Sequence, residues 1–290
     1  MKLVMRKLIL VILVLAAGLS VLAVIFLPKS FTAEKEVIFI IQKGAGVREI
    51  ALNLEKENLI SWAPLFRIYV FLTGVAANLQ AGTYLLSPSM NIPEIAGKLS
   101  KGEAAKIKLT FPEGSTAEQI YQKLIGVTQI ELAQLKNFEG YLFPDTYEIS
   151  YGTSAEEIVK MMTDNFNKKV TLELKEKIKN QGRTLEEVVI MASLLEKEVK
   201  TKEEKELAAD VLWKRLKIGM ALQVDAARET YERRGLPETP ICNPGLESIL
   251  AAIYPQSSPY WYYFSTPDGT TLFSKTLEEH NLIKAQYLKP

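Results

Sequence analysis

The feature that most constrains this chain is residues 8–27, which carry no charge and, Gly18 and Ser20 apart, only apolar side chains. Inside a bilayer every backbone N–H and C=O must be bonded within the segment itself, so a lone stretch of this kind has to be helical. At about 1.5 Å per residue it spans roughly 30 Å, the thickness of the hydrocarbon core. Lys2, Arg6 and Lys7 precede the run, Pro28 ends it and Lys29 follows. The more basic flank comes first, which predicts a cytoplasmic tail over residues 1–7, a span over 8–27 and an extracytoplasmic remainder. A cleaved signal peptide is the competing reading. Its apolar region is ordinarily about 7–15 residues, and here no convincing A-x-A site and no cysteine for lipidation lies nearby. A buried core helix is the third reading.

Residues 28–290 suffice for one large or two modest domains. Lys plus Arg number 35 against 34 Asp plus Glu, so no basic excess points to nucleic acid or to a polybasic membrane patch. Cys242 is the single cysteine, which excludes an internal disulfide and leaves folding to the hydrophobic core. His280 is the single histidine, so a typical zinc site is excluded, carboxylate-rich metal sites stay open, and a Ser-His-Asp triad would have to use His280. No Walker A motif and no G-x-G-x-x-G occurs, and no cofactor is expected. Carboxylates remain the candidates for chemistry.

Glu36 to Gln42 is rich in β-branched and aromatic residues and predicts a strand. A Lys43–Gly46 turn follows, then Val47, Ile50, Ala51 and Leu54 at helical spacing. The pattern recurs with Ile107 to Phe111 as strand, Pro112-Glu113-Gly114 as turn and Ala117, Ile120 and Leu124 on a helix. Helices near Pro64–Gly74 and Ile92–Leu99 and a strand near Ala81–Leu86 lie between, which fits a small α+β unit within residues 28–105. Residues 106–290 read as mostly helical. S/T-x-x-E capping boxes stand at Ser115/Glu118, Ser154/Glu157, Thr184/Glu187, Thr201/Glu204 and Thr276/Glu279. Asn243-Pro244 reads as a further helix start. The run YWYYFS and the segment Thr270–Phe273 flank Pro267-Asp268-Gly269 as a short hairpin.

One acid stands out. In Thr184 to Lys200, at about 100° per residue, Leu185, Val188, Val189, Ala192, Leu195 and Val199 share a stripe, and Glu196 falls inside it while Glu198 points the other way. A carboxyl drawn into the protein has its pKa raised and can donate a proton to a leaving group. The alternative is a Glu paired with a buried Arg or Lys. Elsewhere, Glu139 to Glu148 joins two glutamates and a Pro-Asp turn to aromatics that either line a groove or plug the core. Asp225 is a site residue or the cap of the next helix, Asn243 a ligand contact or a cap, and His280 a base or a structural residue.

The segments EGYLFPDTYE (139–148), ASLLEKEV (192–199), LQVD (222–225), NPG (243–245), YYF (262–264) and FSKTLEEHN (273–281) occur in an order and spacing that resemble the endolytic murein transglycosylases. The resemblance covers nearly the whole chain. It implies an α+β protein with one membrane helix, a LysM-like unit over 28–105 and a catalytic domain over 106–290, held in the cytoplasmic membrane. It also implies a lyase that cuts the β-1,4 bond between MurNAc and GlcNAc of nascent peptidoglycan strands, leaving 1,6-anhydroMurNAc ends and terminating elongation. By motif position Glu196 is then the general acid/base, and Glu139, Gln223, Asp225 and Asn243 are substrate-groove candidates. The cell-wall synthesis machinery is an implied partner. Two departures from the pattern stand out: Thr230 to Pro240 keeps only part of the usual stretch, and Val224 replaces a common Thr. A silent, membrane-tethered glycan-binding scaffold is the alternative. A hydrolase pairing Glu196 with Glu139 or Asp225 is another.

Overall fold

The computed structural model describes residues 2–32, 36–266 and 268–287. It opens with helix α1 (Lys2–Phe26), whose Met5–Phe26 stretch is long and apolar enough to cross a membrane. The helix stops at Phe26, one residue short of the expected Leu27 and two before the Pro28 that removes a donor. Beyond it the chain divides into two compact units, residues 1–107 with 148–152 and residues 108–147 with 153–290.

In the first unit β1 (Val37–Ile41) is followed by α2 (Val47–Lys56), α3 (Ala63–Leu72), β2 (Gly82–Leu86) and α4 (Ile92–Lys101). β1 and β2 pair antiparallel with Phe39 opposite Tyr84, and these two rings enter the core with Ile50, Leu54, Phe66, Leu86, Ile95 and Leu99. Ile25, near the end of α1, is buried in the same core.

β3 (Lys106–Thr110) pairs with β4 (Thr146–Ser150) in a two-stranded sheet, with α5 (Ala117–Leu124) and α6 (Leu132–Lys136) between them. The recurrence seen in the sequence is real at the turn. Gly44 and Gly114 both adopt positive φ, 89° and 75°, where a side chain is strained, and both open onto a helix. The second unit continues with α7 (Ala155–Lys169), α8 (Leu172–Asn180), α9 (Leu185–Glu198), α10 (Lys202–Lys217), α11 (Glu229–Glu232), α12 (Leu246–Ile253), the antiparallel hairpin β5 (Tyr262–Ser265) and β6 (Thr271–Ser274), and α13 (Leu277–Tyr287). The expected hairpin is present, although Pro267 of its turn lies outside the described residues.

Three capping boxes stand where expected, at Ser154/Glu157, Thr184/Glu187 and Thr201/Glu204. The box expected at Ser115/Glu118 is one residue later, at Thr116/Gln119, because the Ser115 hydroxyl instead donates to the Pro112 carbonyl. Thr276 caps the Glu279 N–H, but the Glu279 carboxylate reaches back to the Lys275 N–H instead of closing a box. α12 begins later than Asn243-Pro244 implied: Gly245 is its N-cap, and Asn243 is drawn into tertiary bonds instead. Asp225 caps nothing, since the N-cap of α11 is Arg228.

α9 is the axis of the second unit. Val188 through Leu195 are all buried without a break, so the single apolar stripe expected of this helix does not exist. A helix apolar on every side belongs inside the protein, and α9 packs against α8, α10 and α12.

Candidate active site

Glu196 lies on the last turn of α9, where the all-round apolar run gives way to polar residues. Its side chain is 9 % exposed. Oε2 accepts from the Gly245 N–H at 2.9 Å and from the Ser248 hydroxyl at 2.6 Å. Oε1 lies 3.4 Å from Nζ of Lys205, whose side chain is 4 % exposed. Gly245 has no side chain to cap α12, and Glu196 supplies that anion from outside at the positive end of the helix. Lys205 was not singled out from the sequence, though it carries the signal that found Glu196: a charge at the head of the apolar series Ala208, Ala209 and Leu212 on α10.

A second carboxyl stands beside the first. Glu113, in the turn that follows β3, presses its carboxyl against Gly245: a Cβ there would lie 2.0 Å from Oε1 and 2.1 Å from Cδ of Glu113. A Cβ on the neighbouring Gly114 would come within 3.4 Å of Glu196 Cγ. Glu113 is an exposed residue overall; its pKa is raised, first by the partial desolvation of its carboxyl and then by the charge of Glu196, with Lys205 opposing. Among the described residues Glu113 accepts no hydrogen bond. The sequence placed Glu113 only as a turn residue; nothing local reveals that its turn meets the start of α12.

Asn243 fixes that meeting. Its Nδ2 donates to the Ser115 carbonyl at 3.0 Å and to Glu139 Oε1 at 2.7 Å, and its Oδ1 accepts from the N–H groups of Gly140 (2.8 Å) and Leu142 (2.9 Å). Glu139 also accepts from the Ala117 N–H at 2.9 Å. Burial raises the Glu139 pKa, and these bonds oppose the shift. Glu139 and Asn243 thus tie three loops together next to Glu196 with their hydrogen-bonding capacity engaged inside the protein. The aromatics of the same segment turn inward, Phe143 and Tyr147 being buried and Tyr141 packed on the core.

Gln223 and Asp225 lie elsewhere. They line a pocket of about 400 Å³ together with Glu198, Arg215, Tyr231, Tyr262, Tyr263 and His280. Gln223 holds a positive φ of 55°, a strained conformation for a residue with a side chain, and its N–H bonds to the Thr230 carbonyl. Asp225 accepts from the Tyr231 hydroxyl. Glu198, expected to point away from Glu196, does so; it faces this pocket and accepts from the Ala226 N–H at 2.9 Å, and burial raises its pKa. Because Glu196 and Glu198 are two positions apart, about 200° of helix separates them. Cys242 is buried, donates to the Ser193 carbonyl, and burial pushes its thiol up to about 12, which makes it inert packing. Among the described residues no cluster of His, Cys, Asp or Glu is arranged to hold a metal ion.

Residues 39–229 and 228–286 match the model of the YceG-like family. The endolytic murein transglycosylase of Bacillus subtilis is 30 % identical over 303 residues, spanning 86 % of this chain and 84 % of that one. The endolytic murein transglycosylase of Streptococcus pneumoniae is 26 % identical over 333 residues, which cover 90 % of this chain and 60 % of the relative. A crystal structure of a yceG-like protein from Listeria monocytogenes superposes with a TM-score of 0.56 at 29 % identity, covering 87 % of this chain and 100 % of that one.

Proposed function

The chain belongs to the YceG-like family, and from that premise we propose that it is a peptidoglycan lytic transglycosylase with Glu196 as its general acid and base. The observation that carries the reading is one largely buried carboxyl, Glu196, positioned at the start of α12 by the Gly245 N–H, the Ser248 hydroxyl and Lys205. Relatives named endolytic murein transglycosylases over most of the chain support the substrate class.

In this reading Glu196 protonates the glycosidic oxygen between MurNAc and GlcNAc. The C6 hydroxyl of the same muramic residue closes on its anomeric carbon, and its proton passes to the Glu196 carboxylate. The acid is restored, and no water is consumed. An internal nucleophile needs no second carboxylate to activate water, so one positioned acid suffices. Lys205, Ser248 and the Gly245 N–H hold that carboxyl in place. Glu139 and Asn243 serve by positioning the loops, and Gln223 and Asp225 extend substrate contact along the neighbouring pocket.

α1 anchors the chain in the cytoplasmic membrane with its N-terminus inside and the second unit outside, near strands emerging from lipid-linked precursors, where cleavage ends their growth beside the synthesis machinery. The strand–helix–helix–strand order of β1, α2, α3 and β2 supports a LysM-like role for the first unit. The test is incubation of the full-length protein with uncrosslinked glycan strands, followed by mass spectrometry for anhydro ends.

Glu113 supports a second reading, a hydrolase in which its carboxylate activates water while Glu196 acts as acid. Carrying out the same reaction in ¹⁸O-labelled water separates the two. Label at the new reducing end means hydrolysis, and unlabelled anhydro ends mean lytic transfer.

A further inference from the structure

The pocket beside Glu198 holds a charge problem that a neutral sugar cannot solve. Arg215 is 4 % exposed, and its guanidinium donates only to neutral carbonyls, those of Leu222 at 2.7 Å and Trp261 at 2.9 Å. Among the described residues it forms no ion pair, although a buried charge is ordinarily paired. Tyr262 lies beneath it, with the guanidinium carbon 5.1 Å from the ring centroid, and the same ring stacks on His280 at 5.4 Å. Lys284 follows His280 by one helical turn and lines the same pocket. The three basic side chains therefore lie close together, and burial, with the charges of Lys284 and Arg215 adding to it, lowers the His280 pKa.

Two acids line the same pocket. Glu198 accepts from the Ala226 N–H and Asp225 from the Tyr231 hydroxyl, and among the described residues neither is bonded to Arg215. Two polar atoms of the lining, the Tyr263 hydroxyl and His280 Nδ1, are buried without a hydrogen-bond partner. Such atoms are ordinarily satisfied, so the pocket is built for something that satisfies them.

We propose that this pocket binds the acidic stem peptide carried by the glycan. A peptide carboxylate lies against Arg215, His280 and Lys284, and peptide N–H groups lie against Glu198 and Asp225. The proposal rests on the reading of this chain as a peptidoglycan enzyme. Hydroxyl and acetamido groups can satisfy the orphaned hydroxyl and imidazole, but only an anion matches the unpaired guanidinium, and a peptide bears both the anion and the N–H donors. The pocket thereby makes the enzyme prefer glycan that still carries its peptides.

The experiment uses the full-length protein in detergent and two substrates, glycan strands with stem peptides and the same strands stripped of them. Wild type cuts the peptide-bearing strands with the higher kcat/KM. Lys284→Gln lowers kcat/KM on those strands about tenfold, the weight of one charge-assisted contact, and leaves the stripped strands unaffected. Arg215→Gln has the same selective effect if it folds; Lys284→Gln, on the surface helix α13, carries the test if it does not. Equal losses on both substrates, or no loss on either, overturn the proposal. Binding of free stem peptide to the full-length Glu196→Gln protein is measured separately by NMR titration. Shifts that weaken with Lys284→Gln support the pocket even where neither strand is cut, an outcome that would refute the lytic activity alone. Absence of binding by the peptide overturns the pocket alone.

Discussion

The two carboxyls at the start of α12 differ in what surrounds them. Glu196 has a donor at each oxygen, whereas Glu113 accepts no hydrogen bond and carries a raised pKa. Folding therefore favours protonated Glu113. Its contribution to stability is whole below the ordinary value of 4.5 and is lost as pH rises through the higher folded value. In thermal unfolding across pH 4–8, Glu113→Gln is expected to lose less stability with rising pH than wild type; a steeper loss in the variant would contradict the assignment. This residue also marks where sequence reading stops. Glu196 was legible as a charge set in an apolar helical pattern; Lys205, which carries the same signal on α10, was passed over. Glu113 was not legible, because the turn carrying it is brought to Gly245 by loop contacts between segments far apart in the chain. Asn243 was visible, but as a cap. Only the fold shows that its side chain holds the 115, 140 and 142 backbones together.

At the level of elements, helices and strands were legible wherever a cap or an alternation marked them, and the misreadings fell where tertiary bonds overrode local ones. Ser115 gave up its capping role to a turn carbonyl, and Asn243 gave up its own to three loops. The periodicity of α9 set Glu196 and Glu198 apart, but the helix is buried all along Val188–Leu195, so no single stripe defines its inner face. In the proposed reading the junction of the Glu113 turn with the α12 N-terminus frames the Glu196 carboxyl. Gly245 has φ −73° and ψ 169°, which any residue can adopt, so its role is steric. Gly245→Ala places a Cβ 2.0 Å from Glu113 Oε1 and must displace the carboxyl or the loop. The far end of an exposed, flexible side chain turns aside at little cost, so the expected result is a folded protein with activity within about tenfold of wild type and the Glu113 carboxyl moved off the α12 N-terminus. Glu113→Ala in the same chain relieves the clash, and recovery of the 245 loop geometry by NMR shifts of the Gly245 region checks this independently of activity.

For the whole molecule, α1 joins a membrane reading to the first unit, because Ile25 of that helix is part of its core. A chain beginning after Lys29 is expected to appear in the soluble fraction, where the full chain stays with membranes through carbonate extraction. Losing Ile25 should also lower the stability of the first unit, by at most about 1.5–3 kcal/mol for one buried aliphatic side chain. Calorimetry reads the second effect and fractionation the first; a full chain released by carbonate would remove the anchor from the account. The central claim is that Glu196 turns glycan strands into anhydro-ended products. It is tested most directly by mass spectrometry of uncrosslinked strands after incubation with wild type and Glu196→Gln, both shown to be folded by circular dichroism. Wild type should yield anhydro-ended fragments, and the variant should be slower by a factor of about 10²–10⁴, the usual share of a general acid–base. Anhydro ends formed at the wild-type rate by folded Glu196→Gln would contradict the account.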